Sequence, residues 1–322
     1  MEVSIKNKEI LYLLESNAGL SFKAIAELGD TEEYTVRRTF HRFVEMKIIT
    51  GRAVFVDSML LGYDDYALFL SLKSMNAIEQ TALLNSFKES PLTRWLADVG
   101  GTFDYAITLL SRTSREVRQF LDRLSEKHQD AFVAKELSLR TYMMRYPRRF
   151  LAPSLKGCDT YVMGNRTETA EIDDLDRKIL NHMSRGHFTS DNQLATELGV
   201  SGSTIVRRVA GLQQSGVLLG ATYRIDSALL GYCAYRVLIT MKRLGADLRR
   251  RIIQFCDKEL SVRIMVETLG SWDYELELEL AEGRQIKQFT GRLYEAFPNE
   301  INALNVIPIF QHLSYAGFPV ES

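Results

Sequence analysis

The chain has 322 residues, 46% of them hydrophobic and 25% charged, with a formal net charge of -1. This exceeds the ~250 residues at which single cores stop growing, and the composition excludes a disordered or fibrous chain. Near-neutrality excludes a global attraction to nucleic acid, so any such binding has to come from local patches. The charges scattered through MEVSIKNKEILYLLESNAG are unlike a secretory or transit segment, and no apolar run approaches the ~18 residues of a membrane span. Cys158, Cys233 and Cys256 are too few and too scattered for a disulfide framework. The expected location is the reducing cytoplasm, with no membrane partner.

In chain order the first landmarks are DSMLLGY (57–63), GTFDYAITLL (101–110) and REVRQFLDRL (115–124). Each returns 169 positions later, as DSALLGY (226–232), GSWDYELELE (270–279) and RQIKQFTGRL (284–293), and the same displacement aligns Ile10 with Ile179 and Ala26 with Ala195. A constant offset without a gap points to tandem duplication. The plan legible in the second half therefore applies to the first: a winged helix-turn-helix over 1–57 and a ferredoxin-like domain over 58–146. Residues 147–171, PRRFLAPSLKGCDTYVMGNRTETAE, carry two prolines and two glycines without a helical period, as expected of a linker or an ordered strap.

The second winged helix spans 172–226. IDDLDRKILNHMS sets Leu175, Ile179, Leu180 and Met183 on one helical face behind acidic residues suited to a helix start. SDNQLATELG is a short helix ended by Gly199, and VSGSTIVRRVAGLQQSG opens on Ser201 as N-cap and closes at Gly216. VLLGATYRID alternates around Gly220, where a turn would make a β-wing. Over 227–322 the order becomes strand, helix, strand, strand, helix, strand: strands at 235–242 and 262–270 flank a helix at 246–258, and a helix at 284–296 precedes a last strand at 301–307. In DYELELEL the leucines Leu276, Leu278 and Leu280 face one side and the glutamates the other. The fold class is α+β, two tandem units each joining a winged helix-turn-helix to a βαββαβ domain.

DDLDRKIL, LATELGVSGSTIVRRVAGLQQSGVL, IDSALLGY and LGSWDYELELE, in this order between Ile172 and Pro308, resemble the Lrp/AsnC, or feast/famine, family of prokaryotic transcription regulators. The first half resembles it less closely, with GDTEEYTVRRTFHRF in place of GVSGSTIVRRVAGL. The resemblance implies a winged helix that docks on double-stranded DNA. It also implies a sensor domain that pairs subunits into a homo-oligomer and binds a small effector, commonly an amino acid. A fused pair then supplies in cis the two-fold partner that relatives obtain in trans.

A recognition helix needs polar and basic side chains on one side and apolar ones on the other. Ser201, Ser203, Thr204, Arg207 and Arg208 provide the first, with Ile205, Val209 and Leu212 behind them. The first-half counterparts are Tyr34, Thr35, Arg38 and Thr39, with Arg37 and Arg42 adding charge. Arg52 and Arg224 on the wings offer one phosphate contact each, or are solvated charges. Glu32 and Glu33 accept from cytosine or simply suit the helix start. Acidic and basic residues balance over 1–56, so each module relies on few phosphate contacts.

In the repeated loops, backbone amides near Gly101, Thr102, Gly270 and Ser271 suit a carboxylate, and Asp104 or Asp273 suits an ammonium. The competing reading is a tight turn capped by Asp, with Phe103 or Trp272 at a subunit contact. His41, His128, His182, His187 and His312 show no metal-ligand spacing, and no cofactor or catalytic residue is expected. Two rivals to a DNA-binding regulator remain: a siroheme decarboxylase-like enzyme of the same plan, and a sensor or assembly protein that never touches DNA.

Overall fold

The computed structural model describes residues 3–155, 160–166, 168–184, 186 and 191–315; Cys158 and His187 lie outside them. Helices α1 (Ile5–Ser16), α2 (Phe22–Leu28) and α3 (Glu33–Glu45) precede strand β1 (Ile49–Val56). Ser4 and Ser21 cap α1 and α2 by accepting from the Asn7 and Ala24 amides, which satisfies donors that have no intrahelical partner. Strand β2 (Asp64–Leu72), helix α4 (Ala77–Glu89), strands β3 (Thr93–Val99) and β4 (Tyr105–Ser111), helix α5 (Ser114–His128) and strand β5 (Phe132–Arg145) follow. A short strand β6 (Tyr161–Met163) leads to α6 (Asp174–Ser184), α7 (Asp191–Leu198), α8 (Gly202–Gln214) and β7 (Leu218–Ile225). Then come β8 (Cys233–Met241), α9 (Ala246–Lys258), β9 (Val262–Gly270), β10 (Tyr274–Leu280), α10 (Gln285–Ala296) and β11 (Ile301–Tyr315), so the element order of 5–145 recurs over 174–315.

Two sheets organise these elements. The larger runs β2-β4-β3-β11-β8-β10-β9-β5, and β5 also pairs with β2, so eight antiparallel strands close on themselves, with β6 extending the far end of β5. Closure uses β3 against β11 and β5 against β9, the strands that join the halves. This explains why β11 runs to Tyr315, well past the expected end near 307: its second part pairs with β3 of the other half. Outside the barrel, Leu248, Ile252, Phe289 and Leu293 of α9 and α10 bury Val237, Leu276 and Leu278, and Leu83, Phe87, Phe120 and Leu124 of α4 and α5 bury Leu68, Leu96 and Ile107. Inside it pack Ala67, Phe69, Ala97, Val99, Phe103, Ala106, Leu238, Trp272, Ile307 and Ile309.

The second sheet has two strands, β1 against β7, one from each half. This corrects the expected β-wing. β7 runs straight through Gly220, and glycine stands there because a Cβ would overlap the Tyr161 ring of the 147–171 segment. Each first helix lies against the other half's strand: the Glu15 carbonyl of α1 accepts from Thr222 of β7 (2.9 Å), and α6 packs on β1. The 147–171 segment is correspondingly an ordered strap among its described residues, with Leu151 and Ala152 buried in the core of the first three helices.

Candidate nucleic-acid interface and barrel interior

Helix α8 begins at Ser201, whose hydroxyl accepts from the Thr204 amide (3.2 Å) and lies 2.9 Å and 2.8 Å from the hydroxyls of Ser203 and Thr204. Ile205 and Leu212 are buried, which turns Ser203, Val206 and Arg207 outward. Arg207 makes no ion pair among the described residues, so its guanidinium is available to a phosphate or a guanine edge. Arg208 is committed elsewhere: it bonds Asp173 (2.7 Å) and Asp176 (3.4 Å), tying α8 to the start of α6. Val206, an exposed apolar side chain among polar ones, suits a thymine methyl and escaped the sequence reading because valine on a helix signals core.

On α3, Tyr34 is 68% exposed, with the Arg38 guanidinium 5.8 Å from its ring centroid. Arg37 bonds Glu33 (2.7 Å), Arg42 is exposed and Thr35 half-buried. Thr39, expected on the same side, is instead 3% exposed and faces Asn7 of α1, because a helix turn from the buried Val36 brings it to the inner face. Arg52 and Arg224 sit in the β1–β7 ribbon. Arg224 donates to the Ser184 carbonyl (3.0 Å) and lies over the Tyr315 ring, while the Arg52 amide donates to the Gly186 carbonyl (3.1 Å). Both side chains are half-buried and brace the ribbon against α6 and its end.

The two repeated loops meet inside the barrel. Phe103 and Trp272 are both buried, and each ring packs on Phe69 with centroids 5.2 Å apart. Asp104 accepts from the Leu72 amide and Asp273 from the Met241 amide, each at 2.7 Å, so both carboxylates close the end of the neighbouring strand. Gly101 has φ +79° close to the Val306 carbonyl, and Thr102 shares hydrogen bonds with Asn305. The Ser271 amide donates to Ser138 (2.9 Å), and Gly270 lies so near Leu137 and Ser138 that a side chain would not fit. Among these six residues the exposed groups are at Gly101, Thr102, Gly270 and Ser271, with Asp104 exposed beside its amide partner.

The glutamates of β10 do not face water. Glu275 is 0% exposed, bonded to Arg140 (2.9 Å), Arg236 (2.8 Å) and the Trp272 indole (3.1 Å). Arg140 also bonds Asp65 (3.2 Å) and Thr108 (2.9 Å), while Arg236 reaches Glu277 (2.5 Å). Burial raises a carboxyl, but Arg140 and Arg236 overcome it and hold Glu275 below its ordinary value; Asp65, for which burial outweighs Arg140, is raised. At the barrel end Glu15 of α1, Arg148, Arg263 and Glu279 form a second buried network, with Arg148 to Glu15 at 2.5 Å and to Glu279 at 2.8 Å. Burial lowers the Arg263 guanidinium to about 10. Sequence reasoning missed both networks because the arginines come from other strands than the glutamates. The available signal was Arg236, the one charged residue of the strand CAYRVLITM; Arg140 stands in β5 among Lys135, Glu136 and Arg145 and gave none.

Two three-helix modules on a shared ribbon, carried by a closed barrel, define a helix-turn-helix protein of the α+β class. A family model described as the AsnC-type helix-turn-helix domain matches residues 172–213. An uncharacterized HTH-type transcriptional regulator of Pyrococcus furiosus is 32% identical over 103 residues, 32% of this chain and 68% of that protein. The HTH-type transcriptional regulator LrpA of Pyrococcus horikoshii is 36% identical over 113 residues, 35% of this chain and 69% of that one. The chain belongs to the Lrp/AsnC family of HTH-type transcriptional regulators. Among solved structures, the siroheme decarboxylase NirDL aligns over 98% of this chain and 94% of its own, with a TM-score of 0.62 at 13% identity, which is a likeness of fold. No helix among the described residues is long and apolar enough to cross a membrane.

Proposed function

We propose that the chain is a tandem-duplicated regulator in which two unlike helix-turn-helix modules read one stretch of double-stranded DNA. The observation that carries this is the outward Arg207, without an ion pair among the described residues, beside Ser203 on a helix capped at Ser201, within the segment that matches the AsnC-type domain. Ser201 and Thr204 complete that face, with Arg208 behind it as a tie. Tyr34, Thr35, Arg37, Arg38 and Arg42 form the second reader, while Arg52 and Arg224 hold the ribbon that spaces the two. Because the residues of the two readers differ, the half-sites they take are unlike. The closed barrel serves as a dimer in cis, and further copies would join through its outer surfaces.

The effector, an amino acid or related metabolite in this reading, would bind at the repeated loops. Gly101 and Thr102, and likewise Gly270 and Ser271, touch the other half of the barrel, with Asp104 and Asp273 beside them on strand ends of their own half, so occupancy there changes how the halves meet. Such a ligand acts only by preferring one arrangement. The test is capture of fragments of the source genome by the purified chain, followed by footprinting at low and moderate salt. Discrete protection of two unlike half-sites is expected. Salt-sensitive, sequence-blind binding would overturn the reading, and an absorption change on adding a tetrapyrrole would move it toward the enzyme.

A further inference from the structure

The outer helices of the barrel correspond at the 169-residue offset, α4 (Ala77–Glu89) with α9 (Ala246–Lys258) and α5 with α10. Between α9 and α10 the space is full. The Phe255 ring packs on Phe289 and Phe297, with centroids 5.8 Å from each, and Arg292 holds Glu259 through Nε and Nη2, each 2.7 Å from a carboxylate oxygen. Between α4 and α5 the same place is a cleft of about 360 Å³, its lining including Ser86, Glu89, Ser90, Phe120, Arg123 and Lys127. The sequence accounts for the difference. Phe120 and Arg123 match Phe289 and Arg292, but Ser86 stands where the other half has Phe255, and Ser90 where it has Glu259. Phe120 and the guanidinium persist, while the ring and carboxylate of Phe255 and Glu259 are gone. Phe297 gives way to His128, whose Nε2 lies 2.9 Å from the Ser86 hydroxyl, and Glu89 stands on the rim where the other half has Lys258. Arg123 is exposed and makes no ion pair among the described residues, and Lys127 lies one helical turn further on the same face.

We propose that this cleft binds a small carboxylate bearing an aromatic or similarly bulky apolar group, its carboxylate on Arg123 and its ring over Phe120. The class follows from the comparison inside the chain: Glu259 shows what an arginine at this position takes, and Phe255 shows what the ring below it takes. A guanidinium fork matches a carboxylate in two-point geometry, and the volume falls in the ~300–1,000 Å³ range of small-molecule sites. The site is separate from the loops at 101–104 and 270–273 and does not depend on DNA binding.

The experiment is isothermal titration of the full chain with 3-phenylpropionate. Saturable one-site binding is expected, with 3-phenyl-1-propanol weaker by about tenfold or more because it lacks the charge that Arg123 meets. Arg123→Ala should weaken the acid by a similar factor without changing the thermal midpoint, since the side chain is exposed and makes no ion pair among the described residues. Ser86→Phe with Ser90→Glu should abolish binding because these residues fill the same place in the other half, the thermal transition being recorded beside it to show that the variant is folded after loss of the Ser86–His128 hydrogen bond. Absence of saturable binding at millimolar acid, or binding that survives both variants, overturns the proposal.

Discussion

Arg207 and Arg208 are neighbours with different duties. Arg207 is exposed and makes no ion pair among the described residues, so Arg207→Ala is expected to cost roughly 1–3 kcal/mol of specific DNA affinity and leave the melting curve unchanged. Arg208→Ala should instead loosen α8 from α6 through loss of Asp173 and Asp176, seen as a lower midpoint in denaturant. Equal effects of both changes on DNA affinity with unchanged stability would contradict this division. The buried glutamates give a second expectation. Glu275, Glu277 and Glu279 are held below their ordinary 4.5 in the folded chain, burial being outweighed by Arg140 and Arg236 at Glu275, by Arg236 at Glu277 and by Arg148 and Arg263 at Glu279. Their stabilisation is present above pH ~4.5 and lost as pH falls through their folded values. Asp65 is raised and works in the opposite sense, gaining stability on protonation. Glu275→Gln, which leaves Arg140 with Asp65 and Arg236 with Glu277 and so one buried positive charge in excess, should therefore cost about 3–5 kcal/mol at neutral pH and flatten the acid limb, and Asp65→Asn should cost clearly less. Chemical denaturation from pH 7 to 3 measures both.

At the scale of elements, most of the fold was legible because local signals and burial agree. Ser201, Gly199 and Gly216 bound helices where the sequence places them, and the α9, β9 and α10 spans follow their periodicity to within a residue. What was not legible is pairing between distant strands. Gly220 reads as a turn because glycine usually serves one, yet here it makes room for Tyr161, a residue 59 positions earlier. Gly220→Val is accordingly expected to destabilise by about 1–3 kcal/mol through overpacking. Adding Tyr161→Ala should recover part of that loss, so the double variant is more stable than the sum of the singles predicts. Simple additivity in a denaturant cycle would argue for a turn at Gly220 after all. The site divides similarly: outward residues of α3 and α8 follow from helical phase, whereas the roles of Arg208, Arg224 and Thr39 depend on which neighbour lies behind them.

For the whole molecule, the halves are alike in plan and unlike in anchoring. Glu15 fastens the first three helices to the barrel through Arg148 and Arg263, and the residue 169 positions on is Ser184, which holds Arg224 only through its carbonyl. Glu15→Gln is expected to speed amide exchange in α1–α3 with little change in α6–α8, and uniform acceleration of both would show that the network serves the barrel alone. A chain of residues 160–322 by itself would leave β9 without β5 and β11 without β3, opening one edge on each, and sedimentation should find it self-associated. The closed barrel has a further consequence for dosage. Two separately made readers must find each other by diffusion, so on dilution their pairs vanish with the square of the copy number. In the proposed reading both modules leave the ribosome already joined, and the number of competent pairs falls only in proportion to the number of chains. A cell holding a handful of molecules would retain the full two-site grip.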